Sequence, residues 1–74
     1  MIADNTLDLH GVRHNEVKLM VENFILLNQG KFPLSVICGN SKKMIDLVYE
    51  VTTKLQCRTD SFHYGVIIVG GFIC

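Results

Sequence analysis

The spacing of apolar and polar residues changes character along the chain. Thr6-Leu7-Asp8-Leu9-His10 alternates polar and apolar, the pattern of a half-buried strand. Leu7 and Leu9 take one face, Asp8 and His10 the other, and Gly11 closes the segment. From Val17 the apolar positions are Val17, Met20, Val21, Phe24, Ile25 and Leu27, close to the helical period of about 3.6 residues. Asn15 or His14 is expected at the start of this helix. Glu16 in the first turn suits the positive end of the helix dipole. Gly30 is the expected stop, and Pro33 disfavours helical backbone at Phe32.

Leu34-Ser35-Val36-Ile37-Cys38 reads as a second strand, apolar enough to be central. Gly39-Asn40-Ser41 is a turn that opens a second helix, whose buried stripe is Met44, Leu47, Val48, Val51 and Leu55. Residues 58–64 and 66–69 read as a third and a fourth strand, and Gly65 between them predicts a tight antiparallel hairpin. The order is β-α-β-α-β-β. It predicts a two-layer α/β sandwich with a four-stranded mixed sheet, the first two strands being parallel. Two helices cannot cover both faces of such a sheet. Both are therefore expected on one face, leaving the other partly open.

Composition narrows the class. The 74 residues suit a single domain over 1–74 with a core of about 6–72. A hydrophobic share of 49% with 19% charged residues excludes a disordered chain, but so short a chain has a thin core. Seven basic residues balance seven acidic ones, which argues against binding nucleic acid by bulk charge and leaves room for a local basic patch. No apolar run approaches the roughly 20 residues of a membrane helix, and Met1-Ile2-Ala3-Asp4-Asn5 does not read as a signal peptide. Cys38, Cys57 and Cys74 are odd in number and form no Cys-x-x-Cys pair, so neither a disulfide framework nor a zinc site is indicated. Free thiols and a cytoplasmic location are the expectation.

Chemistry is expected in two loops. In open α/β sheets, ligands bind beyond the carboxyl ends of the parallel strands. Here those ends lead into His10-Gly11-Val12-Arg13-His14 and Cys38-Gly39-Asn40-Ser41-Lys42-Lys43. In the second loop Gly39 permits close backbone approach, Asn40 or Ser41 caps the helix, and the helix start with Lys42 and Lys43 favours an anion. An ordinary N-cap followed by solvated lysines accounts for the same residues. In the first loop His10 is a candidate general acid or base, Arg13 suits phosphate, and Asp8 could orient an imidazole or hold a metal ion. A strand-end histidine bonded to backbone, with solvated Arg13 and His14, is the competing reading. His63 is expected on the surface of an edge strand. Cys38 is expected as a small core residue unless the helix start lowers its pKa. Tyr49 and Tyr64 are candidates for stacking on bases, with core or rim packing preferred.

The run Leu7-Asp8-Leu9-His10-Gly11, followed by an amphipathic helix containing Glu16, resembles the opening of the small MutS-related (Smr) domain. The resemblance covers residues 6 to 72. It implies a two-layer α/β fold, nucleic-acid binding and, in several branches of the family, endonuclease cleavage of DNA or RNA. It places Asp8 and His10 on the family's suspected catalytic strand. Gly11, Arg13, His14, Gly39, Asn40, Ser41, Lys42 and Lys43 become the candidate phosphate contacts, and Mg²⁺ or Mn²⁺ the candidate metal. The family's second signature, His-Gly-x-Gly or Thr-Gly-x-Gly, reads Cys38-Gly39-Asn40-Ser41 here. A serine hydroxyl still donates to a phosphate, whereas a cysteine does not take over the acid–base role of a histidine with the same ease. Three functions therefore compete: a small nuclease, a non-catalytic nucleic-acid-binding module, and a protein-interaction or homodimerisation module using the open sheet face.

Overall fold

The computed structural model describes residues 2–3 and 5–73, including the side chains of all these except residues 2, 3, 62 and 63. The elements are β1 (Ile2–Ala3), β2 (Thr6–Asp8), α1 (His14–Leu27), a short 3-10 turn (Gln29–Lys31), β3 (Leu34–Ile37), α2 (Lys42–Lys54), β4 (Cys57–His63) and β5 (Val66–Phe72). They form one mixed sheet in the order β1-β2-β3-β5-β4. β2 and β3 pair in parallel, Leu7 opposite Val36, and every other neighbouring pair is antiparallel. The four main strands and two helices follow the order their sequence pattern predicts. The two-residue β1 is an addition, set beside β2 with Ile2 opposite Leu7.

Burial follows the alternation. Leu7, Leu34, Val36, Ile67 and Val69 are buried on the helix side of the sheet. Thr6, Asp8, Ser35, Ile37, Val66 and Ile68 occupy the opposite face and are half-buried. Val17, Val21, Phe24 and Ile25 of α1, with Met44, Leu47, Val48, Val51 and Thr52 of α2, complete the core. The buried Thr52 hydroxyl is satisfied by donating to the Tyr49 carbonyl (3.1 Å). The two helices run parallel to one another. Lys18–Glu50 and Lys54–Glu22 pair between them at 3.5 Å, one helical turn apart. Pairs this exposed add little stability.

Departures from the expectation are confined to element ends and to Leu27, and α1 itself stops at Leu27 with Asn28 as its cap, ahead of the expected Gly30. The first strand ends at Asp8, not His10, because the Asp8 carboxylate captures the His10 N–H and bends the chain. α1 starts at His14, one of the two residues expected there, but Arg13 takes the capping position and no side chain caps it. Leu27 is 82% exposed instead of joining the core stripe. Met20 and Leu27 stand at the edge of the buried face of α1, Met20 packed partly against the core. Leu7, Met20, Asn23, Phe24, Leu27 and Asn28 line a shallow groove there. Finally, β5 runs on to Phe72, past residue 69, by way of a bulge. Arg58 faces Gly71 while Thr59 faces Val69, so Gly70 is the extra residue. Two consecutive glycines had removed the apolar signal there.

Candidate functional site

The parallel pairing of β2 and β3 decides where the candidate loops meet. Asp8 lies opposite Ile37, and the Leu9 N–H donates to the Ile37 carbonyl (2.9 Å). The segments that leave these two strands, residues 10–13 and 38–41, therefore emerge side by side at one rim. α1 and α2 both begin there, with their free N–H groups directed toward it. The two loops are thus brought together as the sequence predicts.

The first loop is built by Asp8. Its Oδ1 accepts the backbone N–H of His10 (2.9 Å), and the Val12 N–H then returns to the Leu9 carbonyl (3.0 Å). Gly11 in this turn has φ +80°, a conformation that costs little only for glycine. The carboxylate thus fixes the backbone that carries His10. His10, Gly11, Arg13 and His14 are all exposed, and the Glu16 N–H closes the first turn on the Arg13 carbonyl (2.9 Å). With no side chain capping α1, the other amides of its first turn remain available to an acceptor from outside.

The second loop is built by Gly39 and Ser41. Gly39 has φ +69°, and Ser41 caps α2 by accepting the Met44 N–H on its Oγ (3.2 Å). The hydroxyl hydrogen of Ser41 is still free to donate. Gly39, Asn40, Lys42 and Lys43 are exposed, and neither lysine forms an ion pair among the described residues. Cys38 is different. Its side chain is 4% exposed, its Sγ–H points to the Val36 carbonyl (3.9 Å), and burial pushes the thiol up to about 11. It is a core residue and not a nucleophile at neutral pH.

A third segment reaches this rim, which sequence reasoning did not anticipate. β5 lies antiparallel beside β3, so the hairpin turn at Tyr64 and Gly65 lands next to Gly39. The Cys38 N–H donates to the Gly65 carbonyl (2.6 Å). A Cβ at Gly65 would collide with the Gly39 carbonyl, so the two backbones touch. Tyr64 stands 67% exposed at this turn, neither core nor packed rim. The glycine was a visible turn signal, but its docking partner depends on strand order, which no local pattern encodes. Tyr49 packs partly against the core. The side chain of His63 and all of Cys74 lie outside the described residues.

Most residues of the rim are exposed, which suits contact with an extended anionic ligand. The polar groups of the rim are His10, Arg13, His14, Lys42 and Lys43, with Glu16 in the first turn of α1 beside them and Asp8 engaged at the base. Among the described residues no three His, Cys, Asp or Glu side chains are grouped to hold a metal ion. Among the same residues no helix is long and apolar enough to cross a membrane. Comparisons with family models, with curated proteins and with solved structures find no match to this chain.

Proposed function

We propose that this chain is a nucleic-acid-binding domain of the Smr type, which grips the phosphate backbone at the rim where β2 and β3 end. The observation that carries the reading is the parallel β2–β3 pairing, which joins the His10–His14 and Gly39–Lys43 segments at a single surface. Arg13, Lys42 and Lys43 supply positive charge, and the uncapped start of α1 supplies backbone donors. The chain's zero net charge is no obstacle, because three of its seven basic residues, Arg13, Lys42 and Lys43, lie at this rim. Tyr64 offers a stacking surface beside them.

Phosphodiester cleavage is the finer form of the proposal. His10 would transfer the proton, to the leaving oxygen or from a water, while Arg13 stabilises the negative charge that develops. Asp8 contributes by holding the His10 backbone in place. No step is assigned to a metal ion.

The test pairs nicking with binding. Supercoiled DNA and a structured RNA are incubated with the protein, with Mg²⁺, with Mn²⁺ and with chelator. Cleavage is expected to fall at least about 100-fold in His10→Ala, in a chain that remains folded. The double variant Lys42→Ala/Lys43→Ala is expected to weaken binding and to reduce the salt dependence of log K by about 2. Cleavage unchanged in folded His10→Ala removes the catalytic assignment. Binding and salt slope unchanged by the loss of both lysines remove the rim itself.

A further inference from the structure

α1 carries two apolar surfaces, and the fold uses one of them. Val17, Val21, Phe24 and Ile25 are buried against the sheet. The flank toward α2 holds Lys18 and Glu22, already paired with Glu50 and Lys54. On the remaining face lie Leu19, Asn23, Leu26 and Leu27, flanked by Met20, which packs partly against the core; together they cover roughly a third of the helix circumference at about 100° per residue. Leu19 is 65% exposed and Leu26 41%, and Leu27 stands free beside the groove over Leu7. Single exposed leucines are ordinary, but three on one face of a 14-residue helix form a patch.

We propose that this face of α1 is a homodimer interface, with two copies packed antiparallel about a two-fold axis near Asn23. Charge selects this occupant. Glu16 stands at the amino end of the face and Lys31 lies just past its carboxyl end, both exposed and neither in an ion pair among the described residues. Antiparallel packing sets each Glu16 beside the Lys31 of the other copy, whereas parallel packing sets Glu16 against Glu16. The same axis faces Leu19 with Leu27 and Met20 with Leu26. It faces Asn23 with itself, and an amide pairs with its own kind because it both donates and accepts. The face is therefore complementary to itself in polarity and charge. A chain with so thin a core also gains from covering more apolar surface.

Sedimentation equilibrium of the full chain, up to concentrations on the order of 500 µM, tests this. The expected result is a mass that rises with concentration from 8.3 kDa toward twice that value, with a melting temperature that rises in parallel. Leu27→Glu puts a charge into the interface and is expected to raise the dissociation constant at least about tenfold. Because Leu27 is exposed, the fold should survive, and circular dichroism verifies it. Glu16→Lys and Lys31→Glu should each weaken the dimer, and the double variant should restore it. A monomer mass throughout overturns the proposal. So does a dimer indifferent to Leu27→Glu, and failure of the double exchange to restore association overturns the antiparallel register.

Discussion

Cys38 illustrates how burial overrides position. It sits just before the start of α2, where a helix dipole lowers a thiol pKa, yet desolvation dominates and raises it from 9.0 to about 11. In the unfolded chain the thiol ionises at lower pH than in the native one, so thiolate formation favours unfolding. The stabilisation is complete below about pH 9 and is lost as the pH rises toward 11, at about 1.4 kcal/mol per pH unit. Cys57 is shifted upward by burial too, and acts in the same direction. Urea midpoints are expected to hold steady to pH 8.5 or so, then fall between about pH 9 and about pH 11, with a shallower fall in Cys38→Ala. A midpoint that stays level over that range, or falls equally steeply in the variant, contradicts the account.

At the scale of elements, strands and helices were legible wherever one face is buried, because burial imposes the period. β3 and α2 follow their apolar stripes closely. The same logic overreached at Leu27, which the helical turn of about 100° per residue carries away from the buried face of Val17, Val21 and Ile25 and sets beside Met20. It fell short at Gly70 and Gly71, where a bulge extends β5 without side chains to reveal it. Element ends were the least legible, since they turn on single hydrogen bonds such as that from the His10 N–H to Asp8. The end of α2 yields a prediction. Gln56 follows its last turn at φ +58°, donates its N–H to the Thr53 carbonyl and accepts the Ile73 N–H. That left-handed geometry costs a non-glycine residue about 1–2 kcal/mol. Glycine also gains entropy in the unfolded chain, which offsets part of the relief. Gln56→Gly is therefore expected to stabilise by about 0.5–1 kcal/mol, seen as a rise of about 3–5 °C in melting temperature. A lower melting temperature would mean that the Gln56 side chain contributes more than its backbone costs.

Across the whole molecule, the candidate site is a product of topology more than of any motif. The two loops were legible because parallel strands joined by helices leave the sheet at the same end. The hairpin turn was not, because its approach depends on β5 lying next to β3. That contact is where sheet order and site meet, and Gly65 reports on it. Gly65 and Gly11 share nearly the same φ, +87° and +80°. A side chain at either residue suffers the left-handed penalty of about 1–2 kcal/mol. Only at Gly65 does the added Cβ also meet backbone, the Gly39 carbonyl; at Gly11 nothing lies within 4 Å. A backbone obstacle does not yield as the end of a flexible side chain does, and forced packing of this kind adds about 1–3 kcal/mol. Gly65→Ala is therefore expected to destabilise by about 2–5 kcal/mol in urea unfolding, and Gly11→Ala by about 1–2 kcal/mol. Their difference measures the seating of the hairpin on the α2 loop. Equal losses would show that the hairpin lifts away at little cost, and that Tyr64 is not held at the rim by Gly39.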